Sequence, residues 1–121
     1  MIAMTLMFRF ASIPMIETRA ALDDLDALLS VPGVDAVYVG PNDLSLALGQ
    51  APGSDNPSPY QDAYVRIAGA CAERGIVAGI HANANLAEKH VGTGYRMITV
   101  ATDLSVLVAG CARDLRTARG G

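Results

Sequence analysis

The sequence of 121 residues predicts an α/β fold in which parallel strands alternate with helices. Four short apolar runs are each followed by a helical pattern, and strands separated by helices pair in parallel through right-handed crossovers. Apolar residues make up 51% of the chain and aromatic residues only 5%, with 12 glycines. Apolar content carried by Ala, Val, Leu and Ile is typical of buried parallel strands covered by helices.

The predicted elements follow one another in a regular order. The four strands are expected at 13–17, 35–40, 76–81 and 95–100. Helices are expected from about 19 to 30, in a longer stretch that ends at Gly75, from 84 to 91, and from about Asp103 onward. The segment 49–59 is rich in Gly, Pro, Ser and Asn, which predicts an exposed loop.

Two architectures fit this alternation. One is a small open α/β sheet, and the other is part of a (β/α)8 barrel. A full barrel needs about 250 residues, so four units are half of one. Four strands alone leave two sheet edges and one sheet face uncovered, which predicts self-association.

Charge and cysteine content exclude several classes of partner and predict a cytoplasmic protein. The net charge of −3 and the lack of a basic cluster argue against nucleic acid and a membrane surface as partners. The first 15 residues are hydrophobic, but Arg9 interrupts them and no basic leader precedes them, so a secretory signal is not expected. Cys71 and Cys111 are predicted to be small buried thiols on the apolar faces of helices in a reducing compartment.

Polar residues occur at three predicted strand ends, where parallel α/β folds gather functional groups. They are Glu17, the Gly40-Pro41-Asn42-Asp43 loop, and His81. Taken alone, Glu17 is equally explained as a helix cap or an ion-paired residue, and Asp43 as a carboxylate favoured by a helix N-terminus. His81 is either a functional residue or a polar rim residue bonded to a neighbour. His90, on a helix, is expected to be solvated.

Two carboxylates on one rim suit a hard divalent cation. Without a histidine between them, Glu17 and Asp43 favour Mg²⁺ or Mn²⁺, with water or substrate oxygens completing the coordination. Gly40 lets the backbone approach a ligand, and Pro41 fixes the turn. The amides of Asn42, Asp43 and Leu44 then open a helix, where a carboxylate or phosphate can bind. A 2-oxo acid needs both features.

These residues also carry a family resemblance. The chain resembles the HpcH/HpaI aldolase/citrate lyase family in the stretch MIETRAALDDLDALLSVPGVDAVYVGPNDLSLALG. The later segments GIVAGIH and GYRMITVATDLSVL match in order and spacing, so the resemblance extends from about 13 to 115. It implies four of the eight units of a TIM-type barrel in the phosphoenolpyruvate/pyruvate-binding superfamily.

The resemblance also implies a class II aldolase, a carbon–carbon lyase that acts on a 2-oxo acid such as pyruvate together with an aldehyde. Glu17 and Asp43 then match the two metal ligands, for Mg²⁺, Mn²⁺ or Co²⁺. Gly40, Pro41, Asn42 and Asp43 match the loop that binds the substrate carboxylate. The implied mechanism passes through a pyruvate enolate held on the cation. A Schiff-base route is not expected, because the only lysine, Lys89, lies away from the strand ends.

The chain departs from the family pattern in two respects. Met15 stands where many members have glutamine. The catalytic histidine and the substrate-binding arginine come from the family's N-terminal half, so no catalytic residue is assigned with certainty and His81 is the candidate. The alternative function is a non-catalytic half-barrel that binds metal and 2-oxo acid and needs a missing N-terminal half for activity.

The domain organisation follows from the resemblance. Residues 13–118 are predicted to be the C-terminal half of an aldolase-type barrel, with an unmatched segment at 1–12 and a short tail at 119–121. Exposed edges predict a homo-oligomer or a complementing N-terminal half as the partner.

Overall fold

A parallel sheet of four strands forms the centre of the computed structural model, which describes residues 10–121. The strands lie side by side in chain order: β1 (Met15–Ile16), β2 (Ala36–Val39), β3 (Val77–His81) and β4 (Met97–Thr99). All three neighbouring pairs are parallel, and each strand lies within the run predicted for it. The α/β fold of parallel units is therefore confirmed. The predicted segment at 1–12 falls mostly outside the described residues.

The helix predicted from about 19 to 30 is two helices, α1 (Arg19–Asp23) and α2 (Leu25–Leu29). Thr18 caps α1, because its Oγ1 accepts a hydrogen bond from the Ala21 amide at 3.1 Å. Asp24 separates the two helices with φ −91° and ψ 17°, outside the α region. The apolar face is nevertheless continuous across this break, and the acidic side chains face solvent.

The loop after β2 leads into α3 (Pro41–Ala47), and a longer helix, α4 (Tyr60–Glu73), follows the predicted loop. That loop is tied down by side-chain contacts. Ser45, buried on α3, donates to the Gly53 carbonyl at 2.9 Å. Gly75 then ends the α4 segment with φ 66°, in the left-handed region that glycine favours.

A short 3-10 turn (Ala84–Leu86) precedes α5 (Ala87–Thr93), so the short helix is confirmed with a distorted start. The expectation that His90 is solvated is wrong, because its side chain is only 1% exposed. It packs against Tyr64 and Tyr95, with ring centroids at 5.3 and 5.9 Å. Burial lowers the pKa of His90, since the neighbouring aromatic rings replace water around the imidazole.

The hydrogen-bond network around Tyr64 assigns the tautomer of His90. Thr93 donates its hydroxyl proton to the Lys89 carbonyl, and Tyr64 donates to Thr93 Oγ1 at 3.0 Å. Tyr64 Oη must then accept from His90 Nδ1, 2.7 Å away. The proton of neutral His90 is therefore on Nδ1, and Nε2 is a buried acceptor with no partner among residues 10–121.

One face of the sheet and the helices together enclose the apolar core. Five strand residues on this face are at most 2% exposed: Ile16, Val37, Val39, Ala78 and Ile80. Leucines of α1 and α2 and the buried side of α4, including Cys71, pack onto them. Cys71 is buried, as predicted, and burial raises the pKa of its thiol to about 11.

The last helix, α6 (Asp103–Ala118), contains no buried residue. Its predicted apolar stripe is present, but Leu104 is 66% exposed and Leu107 is 64% exposed. The prediction that Cys111 is buried is therefore wrong, because no described segment covers this face of α6. No helix within residues 10–121 is long and apolar enough to span a membrane.

Candidate functional site

The second face of the sheet carries two rows of side chains, because alternate strand residues point to opposite sides. The first row contains Met15, Tyr38, Gly79 and Met97, which are neighbours in the strand register. The second row lies at the carboxyl ends of the strands, two residues further along each strand. Its members are Glu17, Gly40, His81 and Thr99. The sheet therefore aligns Glu17 and His81 on either side of Gly40.

Gly40 and Glu17 lie in direct contact at this edge of the sheet. A Cβ atom placed on Gly40 would lie 2.9 Å from Glu17 Oε2 and 3.2 Å from its Cβ. Any larger residue would therefore displace the carboxylate. Glycine at position 40 leaves the Glu17 side chain room to extend over the end of β2.

Asp43 follows in the first turn of α3, three residues after Gly40. Pro41 occupies the first helical position, where its missing N–H costs no hydrogen bond. The prediction that the Leu44 amide is open to a ligand is wrong, because this amide donates to the Gly40 carbonyl at 2.9 Å. The Asn42 and Asp43 amides have no backbone acceptor among the described residues.

An open cleft of about 200 Å³ lies above this loop. Its walls are the loop from Gly40 to Asp43 and the half-buried His81. Its floor is formed by Met15 and Tyr38 from the first row. The structure thus brings every predicted substrate-binding residue and His81 to one cleft, with Glu17 beside it against Gly40.

Glu17 neither caps a helix nor forms an ion pair among residues 10–121. Thr18, rather than Glu17, caps α1. The ion pairs found within residues 10–121 all involve other carboxylates: Asp26, Asp55, Glu73 and Asp114. Glu17 is a half-buried carboxylate with no cationic partner in that range. Asp43, in the first turn of α3, remains compatible with a favourable helix-terminus charge.

Glu17 and Asp43 can hold a hard cation only if other ligands complete its coordination. No group of three His, Cys, Asp or Glu side chains in the described part of the chain could enclose a metal ion. Glu17 and Asp43 can supply two carboxylates, and the open cleft leaves space for oxygen atoms of water or substrate. Mg²⁺ and Mn²⁺ are commonly held in this way, by one or two carboxylates and several non-protein oxygens.

Lys89 lies far from the cleft, as the sequence predicted. It is on α5 and pairs with Asp55 of the loop before α4. The strand-end amine that a Schiff base requires is therefore not provided by this lysine.

Two groups of residues were missed at the sequence level. Tyr38 on the cleft floor bonds to Thr99 across the sheet, with its Oη 2.6 Å from Thr99 Oγ1. The alternation of β2 places Tyr38 on the same face as Gly40, and this was the available signal. The second group is the buried cluster of Tyr64, His90 and Tyr95, for which the sequence pattern contained no signal beyond helical spacing.

The parallel sheet, its helices and the strand-end cleft define a member of the TIM-type α/β class. The family model for HpcH/HpaI aldolase/citrate lyase matches residues 11–109. This chain belongs to the HpcH/HpaI aldolase/citrate lyase family, as the strand-end motifs indicated.

Curated relatives and solved structures agree with this assignment. The chain is 33% identical to a hydroxypyruvate/pyruvate aldolase of Paraburkholderia phytofirmans over 92% of its own length and 43% of the relative. It is 39% identical to one of Rhizorhabdus wittichii, over 87% of the chain and 43% of the relative. A family member from Burkholderia cenocepacia superposes with a TM-score of 0.83 at 32% identity, over 90% of this chain and 42% of that one. The chain thus spans about two fifths of the length of these relatives.

Proposed function

We propose that this chain carries the cation- and 2-oxo-acid-binding part of a class II aldolase, a metal-dependent carbon–carbon lyase. The observation that supports this most strongly is the placement of Glu17 against Gly40, beside a cleft lined by Asp43. Two carboxylates at adjacent strand ends, without cationic partners among residues 10–121, suit Mg²⁺ or Mn²⁺, with Co²⁺ as a further candidate. The relatives named as hydroxypyruvate/pyruvate aldolases make pyruvate and hydroxypyruvate the first substrates to test.

Each residue of the cleft has a role in this proposal. Glu17 and Asp43 hold the cation, and the free amides of Asn42 and Asp43 bind the substrate carboxylate. Gly40 and Pro41 shape the turn that brings those amides to the ligand. When bound, the cation polarises the 2-oxo group and stabilises the negative charge that develops on the substrate. His81 is the lining imidazole placed to exchange a proton with the ligand.

Carbon–carbon cleavage also requires groups that residues 10–121 do not bring to the cleft. No arginine lines it, and the first row of side chains is open above the sheet, with Met15 48% exposed. We propose that a second copy of the chain or a complementing N-terminal half covers this face. The unit concerned is 13–118, and the complex operates in the cytoplasm with an aldehyde as the second substrate.

The open face of the sheet also supports a second candidate function. With one face of the sheet open, the chain binds the cation and the 2-oxo acid but does not cleave a carbon–carbon bond by itself. Retro-aldol turnover by the isolated chain would favour the first function. Binding without turnover would favour the second.

Cation binding is the direct test of the proposal. Titration of Mn²⁺ followed by electron paramagnetic resonance should show one site per chain. Glu17→Gln and Asp43→Asn should each weaken Mn²⁺ binding by about ten- to a hundredfold, since a charge-assisted contact contributes about 1.5–3 kcal/mol. Asp24→Asn, an exposed carboxylate between α1 and α2, is the matched control and should bind Mn²⁺ as the wild type does. Equal affinity in all four proteins would refute the proposed site.

A further inference from the structure

A pair of hydroxyl groups lies on the open face of the sheet beside the cleft. Tyr38 starts on β2, passes over β3 and reaches Thr99 on β4, where the two oxygens are 2.6 Å apart. Thr99 is the register partner of His81, and Tyr38 is the register partner of Gly79. The pair therefore connects the cleft floor to the second row of side chains. It does so at β4, the edge of the sheet opposite β1.

Gly79 makes this crossing possible. A Cβ atom at position 79 would lie 2.5 Å from Met97 Cε, 2.9 Å from Tyr38 Cδ2 and 3.0 Å from the Val37 carbonyl oxygen. The carbonyl cannot move without disturbing the sheet, so a side chain here would push the phenol ring off β3. The position of the Tyr38 hydroxyl is thus fixed by a glycine on one strand and a threonine on the next.

The hydrogen count of this pair leaves one donor free. Two hydroxyls carry two hydrogens, and their mutual bond uses one. Neither oxygen has another partner among residues 10–121. The second tyrosine–threonine pair of the protein differs in this respect. Thr93 passes its hydrogen to the Lys89 carbonyl, so the hydrogens of the Tyr64–Thr93 pair are both used.

We infer that the Tyr38–Thr99 pair is a specificity element that donates a hydrogen bond to an oxygen on carbon 3 of a 2-oxo acid. This inference rests on the proposed function. Glu17 follows β1, and Asp43 and the free amides are at the start of α3, so these groups take the carboxylate and 2-oxo end of the ligand. Tyr38 and Thr99 face the other end. A neutral hydroxyl donor suits an uncharged hydroxyl oxygen there, which hydroxypyruvate has and pyruvate lacks.

Binding of the two acids to the Mn²⁺-loaded chain tests the inference, with proton relaxation of water as the readout. The wild type should bind hydroxypyruvate more tightly than pyruvate. Tyr38→Phe keeps the ring and removes the donor, so it should weaken hydroxypyruvate binding about fivefold and leave pyruvate binding unchanged. Thr99→Val leaves the phenol in place without its anchor and should have a smaller effect in the same direction.

Thr93→Val is the matched control, because it removes a hydroxyl from the other tyrosine–threonine pair, which is remote from the cleft. It should change neither affinity. If Tyr38→Phe weakens both acids equally, or neither, the specificity role is refuted while the proposed function stands. If the wild type binds Mn²⁺ but neither acid, the proposed 2-oxo-acid site fails and the inference fails with it.

Discussion

The two faces of the sheet differ in how completely the described part of the chain covers them. On the helix-covered face, Ile16, Val39 and Ile80 are fully buried. Among the helices there, the Tyr64–Thr93 pair is satisfied internally, whereas Tyr60 Oη and His90 Nε2 are buried without a partner among residues 10–121. On the open face, Glu17 has no cationic partner and the Tyr38–Thr99 pair keeps a free donor within the described chain. The two unpartnered atoms of the covered face are sealed in the core, whereas those of the open face can be reached by a ligand or by another chain, as the proposed function requires.

The largest expected difference between the faces is in stability. Ile80→Ala removes a fully buried side chain from the covered face and should lower the free energy of unfolding by about 2–5 kcal/mol. Met15→Ala, on the open face, should cost less than about 1 kcal/mol, since the side chain is already 48% exposed. Urea denaturation of both variants measures this. Equal losses would mean that the open face is covered in solution.

If Ile80→Ala does not fold, Ile80→Val provides a milder comparison. It should cost about 0.5–1.5 kcal/mol by the same mechanism. A loss above about 1 kcal/mol in Met15→Ala would likewise contradict the difference between the faces.

The next effect concerns the space above Gly40. Gly40→Ala would bring a methyl group within 2.9 Å of Glu17 Oε2, so the carboxylate must move. We expect Mn²⁺ affinity to fall about five- to a hundredfold, since crowding of this kind costs about 1–3 kcal/mol. Gly53→Ala creates the same 2.9 Å contact with Asn56 Oδ1, and neither of these residues lines the cleft, so it should leave the affinity unchanged. A normal affinity in Gly40→Ala would remove Glu17 from the site.

The smallest effect is a pH dependence on the covered face. The pKa of His90 is lowered by burial, and the nearby Lys89 ammonium lowers it further, against a smaller opposing effect of Asp55. The unfolded chain therefore takes up a proton at higher pH than the folded chain does. Stability should fall as the pH drops below about 6.5, the ordinary value for histidine, until the folded pKa is reached.

Denaturation of wild type and His90→Phe between pH 8 and 5 measures the contribution of this histidine. Phenylalanine keeps an aromatic ring and cannot titrate, so the stability difference between the two proteins should change with pH in the direction given above. A difference that is constant over this range would show that His90 is solvated after all.

The sequence allowed the repeating features of the molecule to be predicted, but not the contacts that need two distant segments. Each apolar run became a strand, because period and composition are local properties. Glu17 and Asp43 could be placed on one rim, because parallel strands end at the same edge. The Tyr38–Thr99 bond could not be foreseen, since it depends on the register of three strands and on Gly79 between them.

Helical periodicity shows which face is apolar, but not whether anything packs on it. For this reason Cys111 was predicted to be buried and is exposed, although the stripe around it on α6 was located correctly. His90 is the opposite case. It is buried because a tyrosine of α4 and the tyrosine just before β4 pack against it. Spacing along the sequence does not reveal contacts between such distant segments.

The central claim is that Glu17 and Asp43 hold a cation that promotes loss of a proton from a bound 2-oxo acid. Deuterium exchange into the methyl group of pyruvate, followed by NMR with added Mn²⁺ or Mg²⁺, tests it most directly. Exchange that stops on chelation of the metal and in Asp43→Ala, with Asp24→Asn active, is the predicted result. Exchange no faster than with the metal alone, or equally fast in Asp43→Ala, would contradict the claim for this chain.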